Sequence, residues 1–143
     1  MSGYIEILEA IKNELNSYGM LNSITRGTTD GIDLNKQTIF PMAHIYITQG
    51  TPNGPAIDWN VTIWILDVED YNATNITNLD YIHNTTFDIG LRLHESFKRG
   101  DSWTAGYDLV NLTMNAIEKA YENNLAGWQL TATIQGPNKM SIC

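Results

Sequence analysis

The residues best suited to chemistry in this chain are three histidines, one cysteine and a group of carboxylates. His83 and His94 stand eleven positions apart, about three helical turns. On one helix they would share a face yet lie ~16 Å apart at 1.5 Å of rise per residue, too far for one metal ion. His44 falls on the polar side of an alternating stretch, and no HxxxH or CxxC spacing accompanies any of the three. All three read as isolated surface histidines. The densest acidic group is Asp67, Glu69 and Asp70, with Asp58 near the other end of the same stretch. It lacks the alternating oxygens, glycine and terminal glutamate of an EF-hand loop, so it reads as a solvated acidic connection. Nucleophilic catalysis finds no support either, because no G-x-S-x-G occurs and Cys143 is the last residue. The run Gly27-Thr-Thr-Asp-Gly31 lacks the lysine and the strand-to-helix setting of a phosphate cradle. No catalytic residue, cofactor or metal is expected.

Composition narrows the remaining classes. The chain has 143 residues, with 8 Lys+Arg against 16 Asp+Glu, a formal charge of −8. That length suits one domain, 1–143, with a core of its own. The acidic balance argues against a surface that grips nucleic acid, which needs clustered cations to displace counterions. It equally disfavours an anionic membrane face, and no apolar run reaches the ~20 residues that span a bilayer. The opening Met-Ser-Gly-Tyr-Ile-Glu lacks the basic and apolar regions of a secretion signal. A lone cysteine at position 143 permits no internal disulfide, consistent with a reducing compartment.

The elements that would carry these residues are legible from periodicity. Residues 4–17 predict an amphipathic helix, with Ile5, Leu8, Ile11 and Leu15 on one face and Gly19 as its stop. Residues 26–37 hold two glycines among several turn formers and predict a loop. A strand is expected over 40–48, a tight connector over 49–55, and a second strand over 56–66, the two strands forming a hairpin. In the second, Ile57, Trp59, Val61, Ile63 and Ile65 alternate with Asp58, Asn60, Thr62, Trp64 and Leu66. An acidic, Asn-rich connection over 67–78 leads to a helix traced by Leu79, Ile82, Thr86, Phe87, Ile89, Leu93 and Phe97 and stopped by Gly100. Gly90 inside that helix permits close packing on a sheet. Residues 107–112 predict a short strand, 114–122 fit a helix yet precede a turn at 123–127, and 128–135 alternate as a last strand.

Two helices can cover one face of a four- or five-stranded sheet, but hardly both. With Ile45, Ile47 and the odd residues of 57–65 turned toward the helices, Tyr46, Trp64 and Leu66 lie on the other face. Exposed aromatics in a surround of Thr, Asn and Gln have the character of a subunit interface, so Tyr46, Trp64 and Leu66 are the candidate interface residues.

Two stretches carry a resemblance. Asn123-Asn-Leu-Ala-Gly-Trp-Gln-Leu-Thr-Ala-Thr-Ile, followed by Pro137-Asn-Lys-Met-Ser-Ile-Cys143, resembles the ending of a family of small bacteriophage structural proteins. Leu91-Arg-Leu-His-Glu-Ser-Phe-Lys-Arg-Gly-Asp101 is similar to that family's second helix. The layout resembles head-to-tail connector or neck proteins of the tail-terminator and tail-completion type, as in crAss-like phages of Bacteroides. The resemblance implies an α+β fold: an N-terminal helix and a mostly antiparallel sheet of four to five strands, with a second helix packed across one face. It makes 114–122 a strand paired with 128–135. It implies a homomeric ring of 6 or 12 copies in the virion neck, made in the bacterial host cytoplasm, between portal or adaptor and tail proteins. It carries no catalytic residues. Genome DNA would pass through an anionic annulus without sequence-specific binding. The alternative from the residues alone is a small non-catalytic binding module that uses the exposed sheet face.

Overall fold

A computed structural model describes residues 3–19, 21, 23–26, 41–68, 77–98, 108–120 and 125–137. The elements are α1 (Gly3–Ser17), β1 (Ser23–Arg26), β2 (Met42–Asn53), β3 (Ala56–Val68), α2 (Thr77–Lys98), β4 (Asp108–Ala120) and β5 (Leu125–Pro137). The strands form one sheet in the order β1-β2-β3-β5-β4. β1 runs parallel to β2, and every other neighbouring pair is antiparallel. This is the α+β fold of an N-terminal helix, a mostly antiparallel sheet and a second helix packed on it.

Helix α1 ends where expected, with Gly19 in the left-handed region at φ 69°. Its buried stripe is Ile7, Leu8, Ile11 and Leu15, whereas Ile5 is 46 % exposed. The expected stripe is therefore correct at three positions, and Ile7 takes the place given to Ile5. In α2 the buried positions are Ile82, Thr86, Ile89, Leu93 and Phe97. The Thr86 hydroxyl donates to the Ile82 carbonyl at 2.6 Å, which satisfies a polar group at a core position.

Both helices lie on the same face of the sheet. Their stripes pack against Ala43, Ile45 and Ile47 of β2, Val61, Ile63 and Ile65 of β3, and Leu130, Ala132 and Ile134 of β5. Gly90 sits where a side chain would meet Met114 and Leu130, so its lack of a Cβ brings α2 close to the sheet. Between the helices, the Tyr18 hydroxyl is buried. Burial, reinforced by the Glu14 carboxylate and opposed by Arg92, pushes its pKa well above the ordinary value.

Several boundaries differ from the sequence reading. β2 continues through Asn53, and the turn shrinks to Gly54 and Pro55, with Asn53 opposite Ala56. Pro52 is tolerated because β1 flanks only residues 42–45, leaving this part of β2 at an edge where no N–H is required. Gly54, at φ 61°, supplies the left-handed residue of the turn. β4 is one strand from Asp108 to Ala120, so the helical pattern of 114–122 yields to pairing with β5. The turn expected at 123–127 loses Leu125, Ala126 and Gly127, which belong to β5, and Gly127, at φ 152°, faces the Ile65 carbonyl too closely for a side chain. β1, of which only Arg26 falls in the loop expected over 26–37, is a strand that sequence periodicity did not mark. The remainder of that loop (27–37), the acids Glu69 and Asp70, and the stop at Gly100 lie outside the described residues.

Candidate functional site

The second face of the sheet is built by residues that alternate with the core positions. Across β2, β3, β5 and β4 the register sets His44, Trp64, Gln129 and Asn115 in one row, and Tyr46, Thr62, Thr131 and Thr113 in the next. Farther along come Gln49, Asn60, Thr133 and Asn111, then Thr51, Asp58, Gln135 and Asp108. One end of this face is apolar and aromatic. The other is a field of hydroxyls and amides.

The apolar end is closed. Met42, Trp64 and Leu66 form a second small core, with Tyr46 and Ile117 packed partly buried against it. Trp64 is 6 % exposed and Leu66 is fully buried, whereas Tyr46 is half-buried at the boundary with the polar field. The expectation of an exposed tryptophan is thus corrected. Tyr46, Trp64 and Leu66 share a face, as alternation requires, but only Tyr46 reaches the surface. The Trp64 ring leans on the His44 imidazole at a centroid distance of 5.7 Å, and Met42 and Leu66 lie in the neighbouring row.

His44 is likewise no surface residue. It is fully buried, and its Nδ1 lies 2.6 Å from the Thr25 hydroxyl of β1. Sequence reasoning missed this pairing because β1 has only four residues and its neighbour is set by tertiary contact. His83 is half-buried, with Nε2 2.9 Å from the Ile117 carbonyl and its ring edge-on to Trp128. The Trp128 indole N–H donates to the His83 carbonyl at 2.8 Å. His94 lies beside Glu95. Each histidine therefore has a structural contact of its own. Among the described residues no group of three His, Cys, Asp or Glu side chains converges as a metal site.

The polar end is pre-ordered by hydrogen bonds between strands. The Asn60 amide donates to Gln49 Oε1 at 3.1 Å and accepts from the Thr133 hydroxyl at 3.2 Å. The Gln135 amide donates to Asp58 at 3.1 Å, so Asp58 is tied into the sheet, apart from Asp67 near the other end of the strand. Thr48, the extra residue where the register shifts between Ile47 and Gln49, donates to the Asn60 carbonyl at 3.2 Å. Within the rows described, Asp58 and Asp108 are the charged residues, and both lie in the last row. Side chains fixed in this way lose little freedom when a flat partner docks on them.

A small recess of about 80 Å³ lies between α1 and β1, lined by Leu8, Lys12, Ile24, Thr25, Arg26 and Ile45. Of its two cations, Lys12 and Arg26, the second is already engaged with Glu9 at 3.6 Å. Its volume is well below the ~300 Å³ at which ligand pockets for drug-sized molecules begin. The candidate site is accordingly the polar sheet face rather than a cleft. Among the described residues no helix is long and apolar enough to cross a membrane. Compared with known proteins, the chain matches no family model and no curated protein.

Proposed function

We propose that this chain is a non-catalytic structural protein of a phage virion, forming a homomeric ring in the head-to-tail region that joins portal and tail around the DNA channel. The observation that carries the reading is the polar sheet face. Two helices cover one side of the sheet, and the other side presents exposed and half-buried Thr, Asn and Gln beside Tyr46, with charge among the described rows only at Asp58 and Asp108. Protein-binding surfaces are depleted of charge at their centres and anchored by aromatics, and this face has both properties. The α+β layout also agrees with the resemblance of the 91–101 and 123–143 stretches to neck proteins. A head-to-tail ring requires two unlike patches per subunit. In this reading the polar face is one, and the outer surface of the helical layer is the other.

Light scattering on the purified chain, followed by negative-stain imaging, tests the proposal. A closed ring of about 6 or 12 copies is expected, the closed cyclic symmetry that head-to-tail contacts generate. Tyr46→Lys places a cation in the face and should dissolve the ring, with circular dichroism confirming that the chain stays folded despite the lost packing on the second core. A chain that stays small both alone and with portal and tail proteins of a phage counts against the neck reading. A ring indifferent to Tyr46→Lys moves the contact off this face.

A further inference from the structure

β4 is an edge of the sheet. Among the described strands its one neighbour is β5, and it runs from Asp108 to Ala120, whereas the opposite edge strand β1 has 4 residues. A long edge offers a row of unpaired backbone N–H and C=O groups, and proteins normally blunt it with lysine, proline, inward charge or a cover. Lys98 Nζ and His83 Nε2 meet the Leu109 and Ile117 carbonyls at 3.2 and 2.9 Å, and between those ends residues 110–116 contain no charge and no proline. Val110, Asn111, Thr113, Asn115 and Ala116 are exposed, Val110 at 48 %. The register shifts of β4 fall at Leu109/Asn111 and Ile117/Ala120, so residues 111–117 stay in unbroken register with β5. Bulges bend the ends of the edge and leave its middle straight.

That middle reads the same in both directions. Outward from Thr113, Leu112 answers Met114 and Asn111 answers Asn115. The symmetry is confined to 111–115, because the shift at Leu109/Asn111 turns Leu109 into the main core while Ile117 packs against the second one. Such a palindrome has no use in a strand that meets a foreign partner. It has one in a strand that meets itself.

We propose that β4 pairs antiparallel with β4 of a second copy of this chain, about a two-fold axis through Thr113. An isologous contact sets residue i against j and j against i. Thr113 then faces Thr113, Leu112 faces Met114 and Asn111 faces Asn115. Leu112 and Met114 lie on the helix-covered face, partly buried against the main core, so the apolar layer of one copy continues into the other. Asn111, Thr113 and Asn115 lie on the polar face, where hydroxyls and amides of the two copies meet as cross-strand pairs. The register is specified, because a slip of one residue would set apolar positions against polar ones. Charge favours the same place. Two copies of net charge −8 repel each other, and this edge lets them touch over 111–115, where neither brings a charge, with Asp108 and Glu118 falling opposite each other only beyond its ends. The pairing does not depend on the ring reading, since a ring closes through unlike patches and this contact uses one patch twice.

The test is the solution mass of the full chain, measured by light scattering over a range of concentrations, for the parent, Thr113→Lys and Thr113→Glu. The parent is expected to associate in even multiples. Either substitution sets like charges face to face on the axis and should halve the mass, with circular dichroism unchanged because position 113 is exposed. An equal mixture of the two variants should restore the parent mass, since only the mixed pair sets opposite charges opposite each other. A parent that is one copy at every concentration overturns the proposal. So does a mass indifferent to both substitutions, or a mixture that stays at half mass.

Discussion

Trp64 separates what alternation dictates from what it leaves open. Its place in the 56–66 pattern assigns it a face, and the structure agrees, with Trp64 opposite His44 and Gln129. Whether that face is wet depends on contacts remote in sequence, and here Met42, Leu66, Tyr46 and Ile117 gather with Trp64 into a small core. His44 teaches the same lesson, since the hydroxyl that meets its ring belongs to Thr25, nineteen positions earlier on a strand too short for periodicity to reveal. The Trp64 ring therefore contributes to folding more than to assembly. Trp64→Ala should destabilise the monomer by about 3–5 kcal/mol, the usual cost of emptying a buried tryptophan site. Urea denaturation of the parent and the variant measures it. A loss below about 1 kcal/mol would mean that the site repacks or that the ring is dispensable, against the usual cost of core cavities.

At the scale of elements, the sequence was most readable where one pattern acted alone. The 4–17 helix, the alternating strand after Ala56 and the long second helix all stand where periodicity put them. It was least readable where tertiary pairing overrules local pattern. Residues Met114, Ile117 and Ala120 have helical spacing, yet they lie in a strand because β5 supplies a complete partner. Pro52 and Gly127, both turn-like in isolation, sit within strands because one occupies an edge and the other faces the Ile65 carbonyl. Gly90 was legible, since a glycine in mid-helix is a local cost that calls for a packing reason. That reason is testable. Gly90→Val would drive a branched side chain into Met114 and Leu130 and should lower stability by about 1–3 kcal/mol, the range for overpacking. Met114→Ala in the same background should return part of the loss. Thermal unfolding of the single and double variants decides the matter, and additive effects would show that Gly90 and Met114 are not in contact.

Across the whole molecule, charge is distributed by layer. Lys12, Asp80, Asp88, Arg92, Glu95 and Lys98 stand exposed on the helices, while among the described rows the polar sheet face carries charge only in the last, at Asp58 and Asp108. The two contact regions argued above, the polar face and the middle of β4, are both poor in charge on a chain whose net charge is −8. Association through them is opposed by long-range repulsion and not aided by ion pairs across the contact. Salt shortens the reach of that repulsion from ~10 Å at 0.1 M to ~3 Å at 1 M. Self-association should therefore tighten as sodium chloride rises from about 0.05 to about 0.5 M, the reverse of an interface held by lysine–carboxylate pairs. Sedimentation velocity at the two concentrations reads the sign directly. The same net charge predicts that duplex DNA migrates unretarded beside the protein at low salt, because an excess of carboxylates over cations repels phosphates rather than displacing their counterions. Oligomers that loosen as salt is raised would place opposite charges in the contact. That would move it to the helical layer, where Lys12, Arg92 and Lys98, three of the described exposed cations, reside.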